Sequence, residues 1–336
     1  MDYRSLGRTG LMVSPMCIGT FNFTQPTPED ESMRIIARAL EAGINFFDTA
    51  DSYHDGASER LLGRAIAKFS SREEVVIVSK SYFPARPDPG PNDRGNSRLH
   101  ILRACEDSLR RLGTDYIDVF LLHRPDFAID HEEPLRALDD LVRQGKVRYI
   151  GTSVHPAWKV MEGLMLSERH RLSRYVLEQP PYNLLDRRIE NELVPMCLQH
   201  GIGITPFAPL AQGVLAGRYA DAQRFPEGSR AARIGGTYAG RVNERGIEVG
   251  REISRLAREH GMSAAALALL WVKDQPGITA PVFGPRTFGQ LEEALPILGM
   301  RLSEELRAAA DVLVPPGSAV TNYHNSSGWL KQRVGN

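Results

Sequence analysis

Apolar residues along the chain gather into eight short runs: PMCIGT (15–20), INFFDTA (44–50), EVVIVSK (74–80), YIDVFLLH (116–123), VRYIGTS (147–153), RYVLEQP (174–180), GIGITPFA (201–208) and GITAPVFG (277–284). Most are apolar at successive positions instead of alternate ones, the pattern of parallel strands buried on both faces. Between them, apolar residues recur at spacings of three and four, which predicts helices. Segment 29–43 has acidic residues in its first turn and stops at Gly43, segment 97–113 opens on Ser97 as a cap and stops at Gly113, and segment 131–145 ends at Gly145. Strand and helix alternating in this way over 336 residues predict an α/β fold, a (β/α)8 TIM barrel forming one domain over 1–336. A doubly wound sheet fits less well, because no G-x-G-x-x-G follows the first strand.

Three stretches depart from the alternation. Residues 3–14, with Gly7 and Gly10 between short extended pieces, predict an N-terminal hairpin across the bottom of the barrel. Residues 81–96, dense in Pro, Gly and Asn, follow the third strand. The longest connection, from Ala211 to about Arg245, follows the seventh and is rich in Gly and Arg. Both fall on the face carrying the C-terminal strand ends, where long loops are usually functional.

Composition narrows the function. Lys plus Arg and Asp plus Glu both number 41, and no basic run stands out, so no nucleic-acid footprint is expected. Cys17, Cys105 and Cys197 have neither disulfide nor zinc spacing. The start MDYRSLGRTG has no apolar signal core, and no stretch approaches the ~18 apolar residues of a membrane span. The expectation is a soluble cytoplasmic protein, monomeric or weakly homo-oligomeric. Signatures of phosphate loops, zinc proteases and serine hydrolases are absent from the sequence.

In a barrel, polar side chains at C-terminal strand ends are the candidates for chemistry. Asp48 ends the second strand, Tyr53 follows in its loop, Lys80 ends the third and His123 the fourth. An ammonium near the barrel axis needs a counter-charge, which Asp48 supplies. A phenol beside a cation is expected to have a lowered pKa, suiting Tyr53 to protonate a carbonyl oxygen, with His123 orienting that oxygen or helping to relay the proton.

These residues lie in segments that resemble the aldo-keto reductase family. GINFFDTADSYHDGASERLLG (43–63) and SRLHILRACEDSLRRLGTDYIDVFLLHRPD (97–126) resemble its two signatures. EQPPYNLLDR (178–187), ITPFAPLAQGVLAGRY (204–219) and VFGPRTFGQLEEAL (282–295) resemble its cofactor segments. The resemblance implies a catalytic tetrad of Asp48, Tyr53, Lys80 and His123, leaving Asp51 a local hydrogen-bonding role. It implies NADPH/NADP+ in preference to NADH, held by Gly19, Thr20, Ser153, Gln179, Phe207, Pro209, Leu210, Gly213, Leu215, Gly284, Arg286, Gln290 and Glu293, with Arg286 at the 2′-phosphate. The substrate is then a small-molecule carbonyl compound, between Phe21, Phe23, His54, Tyr82, Phe83, Arg124 and the tail 322–332. Three positions depart from the family pattern: Val154 where Asn usually follows Ser153, His54 where Gly usually follows Tyr53, and Ala294 where Asn is frequent. His155 is not expected to replace the contact missing at Val154. The strand ends carry no metal-ligand cluster of the kind a barrel isomerase or lyase needs. A nicotinamide-binding regulatory subunit, as in the potassium-channel β-subunit branch, is the competing expectation. The intact tetrad and the absence of a long N-terminal extension argue against it.

Overall fold

The computed structural model describes residues 1–324. Strands β1 (Arg4–Ser5) and β2 (Met12–Val13) form an antiparallel hairpin. Eight parallel strands follow: β3 (Cys17–Gly19), β4 (Phe46–Asp48), β5 (Val76–Ser81), β6 (Ile117–Leu122), β7 (Val147–Ser153), β8 (Tyr175–Gln179), β9 (Gly203–Ile204) and β10 (Val282–Phe283). They pair in sequence order from β3 to β9, with β10 beside β3. Across the seam, Thr279 N donates to Ile204 O and Val282 N to Pro206 O, each at 2.8 Å, so the sheet curls into the expected (β/α)8 barrel. Each of the eight apolar runs contains one strand. β9 and β10 are the shortest of the eight because Pro206 and Pro281 interrupt their runs and have no N–H to give to a ladder.

Alternation along the strands separates two cores. Phe46 points into the barrel with Val78, Val119, Leu121 and Leu177, whereas Phe47 points outward among the helices with Ile77 and Phe120. Leu6 and Val13 of the hairpin join the inner set, plugging the bottom. The hairpin sits so close that a Cβ on Gly7, at φ +60°, would lie 2.5 Å from Gly201 O, so only glycine fits there.

Helix ends follow the predicted signals. The helix Arg98–Leu112 has Ser97 accepting from His100 N at 3.3 Å, and Gly113 closes it at φ +66°. All three cysteines are free and buried. Among the described residues no helix is long and apolar enough to cross a membrane.

Candidate active site

The period of two that fills the barrel with apolar groups also builds the site above them. On β5 the inward positions are Val76, Val78 and Lys80; continuing β6 past its end they are Val119, Leu121 and His123. Asp48 follows Phe46 on β4 with the same parity, as Gln179 follows Leu177 on β8. One turn of alternation beyond the inner core, the interior therefore changes from apolar to ionisable.

Lys80 is fully buried. Its Nζ donates to Asp48 Oδ2 at 2.7 Å, to Thr49 O at 2.7 Å and to Tyr53 Oη at 3.4 Å. The other Asp48 oxygen accepts from Gln179 Nε2 at 2.7 Å, and Ser153 Oγ donates to Gln179 O at 2.8 Å. The Tyr53 and His123 rings meet edge to face at 6.0 Å, and Phe21 and Phe83 close on them at 5.1 Å and 5.2 Å respectively. Each of the four sequence-selected side chains is thus within reach of one neighbourhood, delivered by three successive strands.

Burial governs their protonation. Desolvation pushes the Tyr53 phenol above its ordinary value, although Lys80 pulls it down. The sequence-based expectation of a lowered phenol pKa is therefore corrected: the Lys80 charge is already shared with Asp48 and Thr49, so it does not outweigh loss of water. Burial also lowers Lys80, but Asp48 and Tyr53 together more than offset this and its pKa ends up raised. Burial, with Arg124 and Lys80 nearby, holds His123 well below the usual imidazole range, so its ring is neutral. Asp51 lies apart from this set: burial and the neighbouring Glu59 push its carboxyl well up.

Above the strand ends opens a cavity of about 930 Å³ running from Tyr53, His123 and Phe83 past Phe207 to Arg286 and Glu293. Gly19, Phe21, Arg124, Ser153, Gln179, Pro209, Leu210, Gly213, Gly284 and Gln290 also line it. Gln290 Oε1 accepts from Arg286 N at 2.8 Å, and Arg286 Nη1 donates to Gly228 O at 2.7 Å.

Several expected residues sit elsewhere. Phe23 is fully buried in the outer core because the chain reverses after β3, where Phe23 N donates to Thr20 O, so strand parity no longer applies. Thr20 and Leu215 are buried behind the cavity wall; Thr20 Oγ1 accepts from Ser58 at 2.8 Å. Tyr82 stands behind Phe83, edge to face at 5.1 Å. His54 does not line the cavity; its Nε2 is bonded to Phe21 O at 2.9 Å, so it ties the loop after β4 to the loop after β3. His155 turns away, with Nδ1 on Ser153 O at 3.0 Å. Val154 has φ +59°, a region in which Asn is tolerated and a β-branched residue is strained. Of the tail 322–332, residues 325–332 lie outside the described residues.

The long connection contributes what strand position did not reveal. Arg218, Arg230, Arg233, Tyr238 and Arg241 all line the cavity. Arg230 lies 5.0 Å over the Phe21 ring and donates to Asn22 Oδ1 at 3.1 Å. At its start, Ala208, Ala211, Gln212 and Gly213 have φ of 60°, 49°, 60° and 99°. The N–H groups of Ala211 and Gly213 are spent on Ala208 O at 2.9 Å and Leu210 O at 2.8 Å, closing tight turns of the chain itself, and left-handed strain at Ala208, Ala211 and Gln212 is typical of a ligand clamp.

The model of the Aldo/keto reductase family matches residues 15–313. An uncharacterized oxidoreductase of Bacillus subtilis (strain 168), YrpG, is 38% identical, covering 94% of this chain and 97% of its own. A probable voltage-gated potassium channel subunit beta of Arabidopsis thaliana is 35% identical over 87% of this chain and 90% of its own. Versiconal hemiacetal acetate reductase of Aspergillus parasiticus is 33% identical over 94% and 98%. The chain belongs to the aldo/keto reductase family.

Proposed function

We propose that the protein is an NADPH-dependent reductase of aldehydes or ketones, with Tyr53 as proton donor. The observation that carries this reading is the buried chain of contacts from Asp48 through Lys80 to the Tyr53 hydroxyl at the floor of the cavity.

The residues suit a dinucleotide. The arginines of the long connection offer donors to a pyrophosphate. Arg286 at the far end offers a guanidinium to a 2′-phosphate, which NADH lacks. Gln179, anchored by Asp48, and Ser153 face the place of the nicotinamide carboxamide, with Phe207 available to stack on the ring. Bound NADPH supplies the hydride that goes to the carbonyl carbon.

The chain's own groups handle the proton. The raised pKa keeps Tyr53 protonated at neutral pH, so its hydroxyl is available to the oxygen that gains negative charge. As the proton leaves, Lys80 Nζ stabilises the developing phenolate, and Asp48 and Thr49 O fix the ammonium in place. The neutral His123 donates a hydrogen bond to the carbonyl oxygen without competing for the proton. Phe21 and Phe83 give the reacting atoms an apolar wall.

The similarity to a channel subunit beta supports a second reading, a nicotinamide-binding subunit with little turnover. One assay separates the two: NADPH consumption over a panel of aldehydes and ketones including 4-nitrobenzaldehyde. Consumption with alcohol formed in equal amount is the expected result. NADPH binding without consumption of any member would overturn the reductase reading.

A further inference from the structure

Among the described residues, Arg124, Arg218, Arg230, Arg233, Arg241 and Arg286 line the cavity, with the carboxylates Asp48 and Glu293. Asp48 is already engaged by Lys80 and Gln179, and Glu293 lies at the Arg286 end. Arg286 is within electrostatic reach of Arg218, Arg230 and Arg233, so these four form one cationic region, which the phosphates of a dinucleotide would neutralise. Arg124 lies at the Tyr53 end, within reach of Tyr53, Tyr238, Arg241 and Tyr82, of His123 and His155, and of the Glu178 carboxyl, which burial pushes up to about 8 and so keeps uncharged at neutral pH. Arg230 reaches both ends, since Tyr53, Tyr238 and Arg241 are its neighbours too.

Arg124 directly follows His123, and its Nη1 donates to His123 O at 2.7 Å. Its guanidinium lies 5.5 Å over the Phe83 ring. Among the described residues no carboxylate pairs with it, although it is half-buried at the cavity wall beside the proton donor. Arg241 is on the same side, 5.3 Å from the Tyr238 ring, and adds positive potential instead of cancelling it. A guanidinium removed from water without a counter-charge is costly unless a ligand supplies one. With one N–H committed to His123 O, its remaining N–H groups are free for a planar two-oxygen acceptor.

From this we propose that the substrate is an anionic carbonyl compound, an aldehyde or ketone carrying a carboxylate, whose charged group is held by Arg124 while its carbonyl oxygen meets Tyr53 and His123. The inference rests on the carbonyl-reductase reading and adds the substrate class to it. The aromatic walls from Phe21, Phe83 and Phe207 fit the uncharged body of such a molecule. Arg124 acts in binding, so its effect falls on KM more than on kcat.

The test compares 3- and 4-carboxybenzaldehyde with their methyl esters, which have the same reacting group and no charge. The wild-type protein is expected to favour a carboxylate over its ester by about 10- to 100-fold in kcat/KM, the strength of a charge-assisted contact. In Arg124→Gln that ratio falls toward one through KM, and Arg124→Lys keeps part of it. Equal use of acid and ester by wild type, or an unchanged ratio in Arg124→Gln, would overturn the proposal while leaving the reductase reading intact. If NADPH binds but no aldehyde is consumed, the reductase reading fails. The anion site is then decided by binding of 3- and 4-(hydroxymethyl)benzoate and their methyl esters to the NADP+ complex. Preference for the acids, abolished in Arg124→Gln, supports it, and equal binding rejects it.

Discussion

The cavity has two walls built on different principles. One is made of strand ends: Asp48, Lys80, His123 and Gln179 sit on or just past β4, β5, β6 and β8, and ladder hydrogen bonds fix where each backbone lies. The other is made of loops: the connection between Pro209 and Arg245, whose arginines reach the cavity from short helices and turns, and the loop after β10, whose Arg286 is bonded to Gly228 O of that connection. The strand wall holds its cation against a carboxylate 2.7 Å away, fully buried. The loop wall gathers cations beside one another, in a region that an anionic ligand would neutralise. On the proposed function, geometry for chemistry comes from the sheet and charge for ligand capture from the connecting loops.

Substitutions can separate the walls, beginning with the largest effect. Tyr53→Phe is expected to reduce turnover by about 10²- to 10⁴-fold, the usual contribution of a positioned acid, with NADPH affinity retained in a fluorescence titration. Lys80→Met leaves Asp48 buried without its counter-charge and is expected to cost about 3–5 kcal/mol in urea unfolding. A cost near zero would mean that the ion pair contributes nothing to the strand wall.

Acid should damage the strand side as well. His131, whose pKa burial lowers to about 4, and His123 and His155, which burial holds well below the usual imidazole range, remain neutral in the folded protein. The unfolded chain protonates these near pH 6.5. Stability is therefore full above about pH 6.5 and is lost as pH falls toward 4. Stability that rises on acidification over that range would contradict the burial of neutral histidines. Reductase activity has the opposite limb: it should hold through neutral pH and decline only above about 10, where the raised Tyr53 phenol begins to lose its proton. The smallest effect is expected at the turn after β7. Val154→Asn relieves a β-branched residue at φ +59° and should raise the thermal midpoint by an amount equivalent to about 1 kcal/mol.

The same contrast explains what could be read from the chain. A strand end is a local feature of the sequence, so Asp48, Lys80 and His123, each ending its strand, were expected at one mouth of the barrel; the parity that turns Lys80 inward after Val78 and His123 after Leu121 is seen in the structure. The barrel itself followed from the eight apolar runs and their intervening helices. Where the strands stop, parity stops. The family resemblance put Phe23 at the cavity with Phe21, but the turn at Thr20–Phe23 sends it into the core. His54 was visible as an unusual neighbour of Tyr53, yet its bond to Phe21 O depends on a left-handed conformation at φ 51° that the residue type does not dictate. The loop arginines were legible as composition only. Which of them face the cavity is set by the helices Arg230–Ile234 and Gly236–Ala239, each too short to show a periodic face.

The most direct test of the division between walls is a paired stopped-flow measurement of hydride transfer and NADPH dissociation constant in Tyr53→Phe and Arg286→Ala. The two variants should cross. Tyr53→Phe loses rate at unchanged affinity, while Arg286→Ala binds NADPH about 10- to 100-fold more weakly, with NADH little affected and the hydride-transfer rate at saturation retained. If instead each variant loses rate and affinity together, chemistry and cofactor capture are not divided between strand ends and loop, and the account is wrong.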